Sequence, residues 1–155
     1  MTSQPHNMHF LLHSAALIEE RLRQRLASVG VQHRQARVID ALSRMEPASQ
    51  AALAREFGIT PASMSTMTGR LIEAGYISRT PHPAEARSNL LRLTDTGRGL
   101  LGEIRTAWSE IDAVIEEKLG TAEAHALASL TRALRNSLGG HVPGTAASQD
   151  NSKET

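Results

Sequence analysis

The chain has 155 residues and a formal net charge of +1; 40% of its residues are hydrophobic and only 3% are aromatic. This length suffices for one domain with a real core, and so few aromatic residues predict a core of aliphatic and small side chains on helices, which often need a partner surface. The chain has no cysteine, which excludes disulfides, thiolate metal sites, cysteine nucleophiles and redox sensing by thiols.

The charge is distributed unevenly along the chain. Residues 1–98 hold 12 arginines against 8 acidic residues, a balance of +4, whereas residues 99–155 hold 5 basic and 8 acidic residues, a balance of −3. The first part is therefore the better surface for a polyanion, although ordinary surface charge would look similar. The N-terminus lacks the basic start and apolar run of a signal peptide, and no segment is long enough to span a bilayer. We expect a cytoplasmic protein without membrane contact.

Apolar residues and capping signals predict three helices in the first third of the chain. Between Met8 and Leu26 apolar residues recur every three or four positions, the period of an amphipathic helix. A second apolar stripe follows and should end before Pro47. Ser49 is suited to cap a third, short helix, which Gly58 ends.

A fourth helix and a hairpin follow. Thr60 is a good N-cap and Pro61 suits the first helical position, so the fourth helix begins there and closes at Gly75. The segments YISRT and SNLLRL predict two strands joined by a loop longer than a tight two-residue turn.

Two further helices and a tail complete the chain. Thr94 is suited to cap a long fifth helix over 94–119, and leucines at helical spacing predict a sixth helix over 121–138. Residues 139–155 are small and polar without an apolar period, so we expect a disordered tail. The predicted fold is mainly α with a small β-hairpin.

Residues 53–71, LAREFGITPASMSTMTGRL, have the pattern of a helix-turn-helix. The apolar residues are spaced so that two short helices can pack, and Gly58 permits the sharp turn between them. A helical hairpin in an ordinary all-α core can look alike. The outer face of the second helix favours DNA binding, because it carries small hydroxyl residues and, apart from Arg70, no charge. Such a face can enter a major groove without clashing.

The following segment carries a resemblance to a known family. Residues 61–101 resemble the winged-helix core of the MarR family of transcription regulators in the LIEAGYISR exit from the recognition helix, the acid-x-Arg wing and the LTDTGRGLL start of the next helix. The resemblance extends from about residue 10 to residue 138. It implies an all-α homodimer with a winged helix in each subunit. The implied parts are dimerisation helices at 8–30 and 121–138, a winged helix-turn-helix at 33–93 and a connecting helix at 94–119.

Six positions on the fourth helix are expected to contact DNA. The hydroxyls should face base edges or phosphates, the first two residues could touch thymine methyl groups, and the arginine should reach a phosphate or a guanine. These residues are Pro61, Ala62, Ser63, Ser65, Thr66 and Arg70. Thr66 stands where the family commonly has an arginine, so the number of charged contacts from this helix stays open. Gly69 is explained either by close packing or by local flexibility.

The loop of the hairpin is expected to act as a DNA-binding wing. Pro81 and Pro83 stiffen its tip and can hold Arg87 away from the body of the protein, where a narrow minor groove attracts a guanidinium. Glu85 matches the wing acid of the family and could orient Arg87 through a side-chain pair. The alternative for Arg87 is a solvated loop charge. Three further arginines could add phosphate contacts or be plain surface charges: Arg44, Arg55 and Arg79.

Regulators that resemble this chain often bind small anionic or aromatic molecules between the dimer helices and the winged helix. Four residues could border such an effector pocket, although a tryptophan on a helix stripe is more often core: His13, Leu17, Ile104 and Trp108. His6, His9 and His13 would share one helix face and could hold a divalent metal. Their position near a chain end without a nearby carboxylate favours plain surface histidines, so we expect no metal and no cofactor.

These observations favour a homodimeric, sequence-specific DNA-binding regulator, by family analogy an effector-responsive repressor. Its recognition helices would enter the major groove and its wings the minor groove of a pseudo-palindromic operator with half-sites about one helical turn apart. An enzyme is not expected, because no nucleophile elbow, HExxH helix or phosphate-binding glycine loop is present. The alternative is a winged helix that binds another protein without specific DNA recognition, which would carry large apolar anchors instead of Ser, Thr and Gly.

Overall fold

A computed structural model describes residues 6–145. Over this range six helices and three short strands form, and the strands pair in one antiparallel sheet in the order β1-β3-β2. The elements are α1 (Asn7–Ala27), α2 (His33–Met45), β1 (Ala48–Ser49), α3 (Gln50–Phe57), α4 (Pro61–Glu73), β2 (Ile77–Pro81), β3 (Asn89–Leu93), α5 (Asp95–Leu119) and α6 (Thr121–Ser137). The predicted mainly helical fold with a β-hairpin is confirmed.

The predicted capping side chains mark the helix starts in the structure. The hydroxyl of Ser49 accepts a hydrogen bond from the amide of Ala52 at 3.1 Å, and Thr94 accepts one from the amide of Gly97 at 3.0 Å. Gly58 ends α3 with a φ of 60°, a left-handed conformation that favours glycine. Local side-chain chemistry therefore sets these boundaries.

The sheet has one strand more than the predicted hairpin. β1 is only two residues long and pairs antiparallel with β3, Ala48 opposite Leu91 and Ser49 opposite Leu90. A strand of two residues is too short to show the alternation of polar and apolar residues from which strands are predicted. It forms because the link between α2 and α3 runs along the free edge of β3.

The core lies in the winged-helix part of the molecule. The largest fully buried side chains come from α1 to α5 and the sheet, and they include Leu26, Ile39, Met64, Leu91 and Ile104. Aromatic side chains lie at the edge of this core, in agreement with the predicted aliphatic interior. α6 buries none of its side chains within the chain.

The start of α5 rests directly on the residues that follow α4. The amide of Thr94 donates to the carbonyl of Tyr76 at 3.1 Å, and its hydroxyl donates to the carbonyl of Gly75 at 2.6 Å. A Cβ added at Gly97 would lie 2.0 Å from the carbonyl oxygen of Tyr76. Only glycine fits this position, so the residues that follow α4 and the long helix α5 are joined at one contact.

The C-terminal segment after α6 returns to the winged helix. The amide of Gly144 donates to Glu56 Oε2 at 2.9 Å, His141 Nε2 lies 3.2 Å from the same oxygen, and Arg44 donates to the carbonyl of Pro143 at 2.7 Å. Pro143 is buried. The disorder expected from residue 139 is therefore not found over 139–145. An irregular segment held by distant side chains leaves no periodic signal; residues 146–155 of the expected tail lie outside the described residues.

We predict that Gly97→Ala lowers the free energy of unfolding by about 2 kcal/mol or more, because the new methyl group meets backbone that no rotamer change can move. Gly99→Ala is the matched control two residues later in α5, where an added Cβ meets no atom within 4 Å. It should raise the free energy of unfolding by up to about 1 kcal/mol. Urea denaturation at one protein concentration measures both. Equal effects of the two substitutions would contradict the contact at Tyr76.

Candidate nucleic-acid interface

The packing of α3 against α4 orients α4. Gly58 makes the turn between the two helices, and the amide of Ile59 closes it by donating to the carbonyl of Ala54 at 3.1 Å. Met64, Thr68 and Leu71 form the buried side of α4. The buried hydroxyl of Thr68 donates to the carbonyl of Met64 at 2.9 Å, so it carries no unsatisfied donor. This buried side leaves the opposite face of α4 to solvent.

The six α4 residues predicted to contact DNA are all exposed. They occupy positions between those of the buried residues, as the helical period requires. The exposed residues are Pro61, Ala62, Ser63, Ser65, Thr66 and Arg70. Contact of each with DNA stays a prediction.

The three hydroxyls on this face differ in what they can still offer a ligand. Ser63 Oγ accepts a hydrogen bond from Thr60 at 2.9 Å and keeps its own hydrogen free. Thr66 donates its hydrogen to the carbonyl of Ala62 at 3.2 Å, which leaves it as an acceptor. The hydroxyl of Ser65 has no partner among residues 6–145, so it can donate and accept.

The start of α2 lies beside this face and extends it. A groove of about 310 Å³ is lined by residues of both helices, among them Gln32 and Arg34 from the α2 side and Ser63, Thr66 and Arg70 from α4. Arg34 is exposed. Sequence reasoning missed Gln32 and Arg34, because only the packing of α2 brings them next to a helix some thirty positions later.

The hairpin forms a wing whose tip carries Arg87. β2 and β3 pair from Ile77 opposite Leu93 to Pro81 opposite Asn89, and the tip lies beyond them. Arg87 and Glu85 are both exposed. The expected pair between these two side chains does not form. Instead, His82 Nδ1 accepts hydrogen bonds from the amides of Ala84 and Glu85, both at 3.1 Å, an arrangement that the sequence did not reveal.

The arginines on and near this surface differ from one another in their pairing. Within residues 6–145, Arg34, Arg70 and Arg87 have no hydrogen-bond or ion-pair partner. In contrast, Arg98 pairs with Glu46 at 2.6 Å. Arg44 bonds Asp40 at 2.5 Å and also the C-terminal segment. Arg44 is therefore already occupied and is a poor phosphate ligand, whereas Arg55 and Arg79 are exposed.

Residues 29–88 match the family model described as the MarR family. The matched range includes the helix-turn-helix and most of the wing. Over this part of its length the chain is similar to the MarR family. Members of this family are transcription regulators and not enzymes, which agrees with the expectation from the sequence.

Comparison with three known proteins shows how far this likeness extends. The HTH-type transcriptional regulator BilQ of Clostridioides difficile (strain CD3) is 32% identical over 68 residues, 44% of this chain and 46% of BilQ, so the match spans about half of that relative. The transcriptional repressor CouR, solved bound to a 23-mer DNA duplex, is 25% identical with a TM-score of 0.76, over 83% of this chain and 92% of CouR. RV1404 from Mycobacterium tuberculosis is 28% identical with a TM-score of 0.70, over 88% of this chain and 97% of RV1404.

Of the four residues predicted to border an effector pocket, two lie in or against the core and two are exposed on α1. Ile104 is fully buried and Trp108 packs against the core, so Ile104 cannot line a pocket. His13 and Leu17 are exposed on α1. An apolar stripe in a sequence does not distinguish the wall of a pocket from the interior of a core.

A different groove, of about 910 Å³, lies between α1 and the start of α2. Its lining includes Arg23 and Glu20 from α1 and His33 and Arg34 from α2. Arg23 donates a hydrogen bond to Glu20, and this bond, with a further one from Gln24, lowers the pKa of Glu20 to about 2.

His33 is a second titratable residue at this groove. Burial lowers the pKa of His33, and the charge of Arg37 adds to this effect. Among residues 6–145, His33 Nδ1 is buried without a hydrogen-bond partner, although other atoms of His33 line the groove.

The histidines of α1 do not assemble a metal site in the part of the chain that is described. The rings of His6 and His9 lie 5.9 Å apart. Over residues 6–145 no group of three or more histidine or acidic side chains is arranged to hold a metal ion. In the same range, no helix combines the length and the apolar content that a bilayer crossing requires.

Gly69 on the outer side of α4 is not explained by packing within the chain. An added Cβ there meets no atom within 4 Å. We predict that Gly69→Ala raises the free energy of unfolding by up to about 1 kcal/mol, because alanine is the better helix former. Gly75→Ala is the matched control: it has equal space but a φ of 79°, and it should lower the free energy of unfolding by about 1–2 kcal/mol. Thermal and urea unfolding measure both; a destabilised Gly69→Ala variant would point to close packing after all.

Proposed function

We propose that this chain is a homodimeric, sequence-specific DNA-binding transcription regulator of the MarR family, an effector-responsive repressor. α4 would enter the major groove and the wing the minor groove. The observation that carries the proposal is the exposed face of α4, where small residues and free hydroxyls lie together with unpaired Arg34 and Arg70. Small side chains allow a helix to approach base edges, and unpaired cations gain from phosphates without first losing a partner.

The assignment of roles follows from the hydrogen bonds that remain free. Ser63 and Ser65 can donate to base edges or phosphates, whereas Thr66 can only accept. Pro61 and Ala62, at the start of α4, offer apolar contact to thymine methyl groups. Arg70 and Arg34 provide the positive charge that the small side chains of α4 lack.

A second copy of the chain is the proposed cover for an apolar surface on α1 and α6. α6 buries none of its residues within the chain, and Leu130 and Leu138 are 70% and 78% exposed. α1 adds further exposed apolar side chains, Met8, Phe10, Leu11, Leu12 and Leu17. Large continuous apolar surfaces are rare on monomers, and a two-fold dimer covers the same patch on both copies.

Dimerisation would present two winged helices to one duplex. Two copies of α4 related by a two-fold axis would read a pseudo-palindromic operator in successive major grooves, about one helical turn apart. Two copies of α4 would contact more base pairs than one short helix alone, and this would increase sequence specificity. The DNA-bound repressor CouR shares the fold over most of this chain, which supports both DNA binding and repression.

An effector would act at the groove between α1 and α2. α1 belongs to the proposed dimer region and α2 to the winged helix, so a molecule bound between them would change the position of one relative to the other. The His33 ring and the cation of Arg34, both of which line this groove, suit a small anionic or aromatic molecule. Such a ligand would favour a separation of the two wings that fits DNA poorly.

Selection of bound fragments from random duplex DNA tests the proposed function. We expect enrichment of a two-fold related consensus with half-sites about 10 base pairs apart. Ser65→Ala should change the preferred base at one position of each half-site and leave binding to random duplex nearly unchanged, because a single hydroxyl contact is lost. No enrichment with the unaltered protein would favour a protein-binding winged helix instead. An equal loss on operator and random duplex would remove Ser65 from base reading.

The dimer is tested by placing a charge on the apolar surface of α6. We expect Leu130→Glu to shift the protein to monomers, because a carboxylate would be buried at the interface. Ser129→Glu adds the same charge at the neighbouring exposed position, turned away from the leucines, and should leave the dimer intact. Sedimentation velocity at several concentrations reads out both. A Leu130→Glu protein that remains dimeric and binds operator would show that α6 does not form the interface.

A further inference from the structure

The tip of the wing is organised around one imidazole. The amide of His82 donates to the carbonyl of Ser88 at 2.9 Å, and the amide of Ser88 donates to the carbonyl of Glu85 at 3.0 Å. Inside this closed loop, His82 Nδ1 accepts from the amides of Ala84 and Glu85. One side chain therefore satisfies two backbone donors at the point where the chain turns back toward Arg87.

The sequence around His82 explains why these two amides are the ones bound. Pro81 and Pro83 flank the histidine and have no amide hydrogen. The first donors after His82 are thus Ala84 and Glu85, two and three residues later, the spacing at which short polar side chains capture their own backbone. For Nδ1 to accept, the imidazole must be neutral with its hydrogen on Nε2.

We propose that His82 is a positioning residue for Arg87 in DNA recognition. This proposal rests on the proposed function. The shape of the tip is set by the His82 imidazole. The side-chain pair between Glu85 and Arg87, which the resemblance to the family led us to expect, does not set it. It restrains the segment from Ala84 to Arg87 before DNA is bound, so less conformational freedom is lost when the guanidinium enters the minor groove.

The charges near the tip are compatible with this role. Glu85 is exposed and makes no ion pair with Arg87, so its carboxylate does not hold the guanidinium. Its backbone instead contributes an amide to His82 and a carbonyl to Ser88. Arg87 stays free of partners within residues 6–145, available to a phosphate or a narrow groove.

The first experiment needs no DNA. Amide hydrogen exchange of the full-length protein, read by NMR, should show slower exchange at Ala84 and Glu85 than at Ala86, whose amide has no partner among the described residues. His82→Ala should remove this difference, whereas His82→Asn should keep most of it, because the side-chain oxygen of asparagine can accept from the same two amides. Equal exchange at all three amides in the unaltered protein would overturn the proposal.

The second experiment is a double-mutant cycle on selected operator DNA, followed by fluorescence anisotropy at several salt concentrations. Arg87→Ala should weaken binding and make its salt dependence shallower, because one cation near the phosphates is lost. His82→Ala should weaken binding roughly three- to tenfold, and His82→Asn should stay within about twofold of the unaltered protein. In the Arg87→Ala background, His82→Ala should have almost no further effect, since its action passes through Arg87.

Each contrary result has a separate meaning. If the loss of DNA affinity in the double variant equals the product of the losses in the two single variants, His82 acts independently of Arg87. The positioning role is then wrong. If the His82→Asn variant binds DNA as weakly as the His82→Ala variant, the imidazole ring itself is needed. The hydrogen bonds to the amides of Ala84 and Glu85 are then not the cause of tighter binding, which also overturns the proposal. If the unaltered protein binds no duplex at all, the proposed function fails, whereas unimpaired binding by His82→Ala overturns only the role of His82.

Discussion

The contact between the start of α5 and the residues after α4 is the constraint on which the remaining structure depends. Thr94 bonds the carbonyls of Gly75 and Tyr76, and Gly97 lies so close to Tyr76 that no side chain fits. The helix with the candidate DNA face and the helix that leads to the proposed dimer surface therefore cannot move independently at this point. A tilt of α5 would therefore be transmitted to α4 through these tightly packed backbone contacts.

Buried and exposed apolar side chains lie in different parts of the chain. Core side chains lie in the winged helix, whereas α6 and most of α1 keep apolar side chains at the surface. A monomer gains nothing from such a surface, since water contacts it at a free-energy cost. The groove between α1 and α2 lies where these two parts meet and is lined by residues of both. The C-terminal segment, held by Glu56 and Arg44, forms a second link between them.

The candidate interface offers DNA small groups and a few cations. The α4 face has one arginine, and packing supplies a second, Arg34, from the start of α2. At the wing, the side-chain pair expected between Glu85 and Arg87 is absent, and His82 binds the backbone of the tip instead. An exposed ion pair would have held the tip weakly. Two hydrogen bonds from backbone amides to the His82 imidazole restrain the backbone of the tip itself. Such a restraint is what the proposed role of Arg87 requires, because Arg87 is carried by this backbone.

The sequence by itself determined the helices, their caps, the hairpin and the outward face of α4, because these follow from local periodicity and from side chains that bond their own neighbours. It also marked Arg87 as the cation of the wing. Only the tertiary structure decided that Arg34 lies beside Arg70, that Ile104 is core, that β1 adds to the sheet and that residues 139–145 return to Glu56. These facts depend on contacts between residues far apart in the chain, and such contacts leave no periodic trace in the residues that make them. His82 is the intermediate case: its bonds are local, but a lone histidine between two prolines has no common pattern by which its role could be recognised.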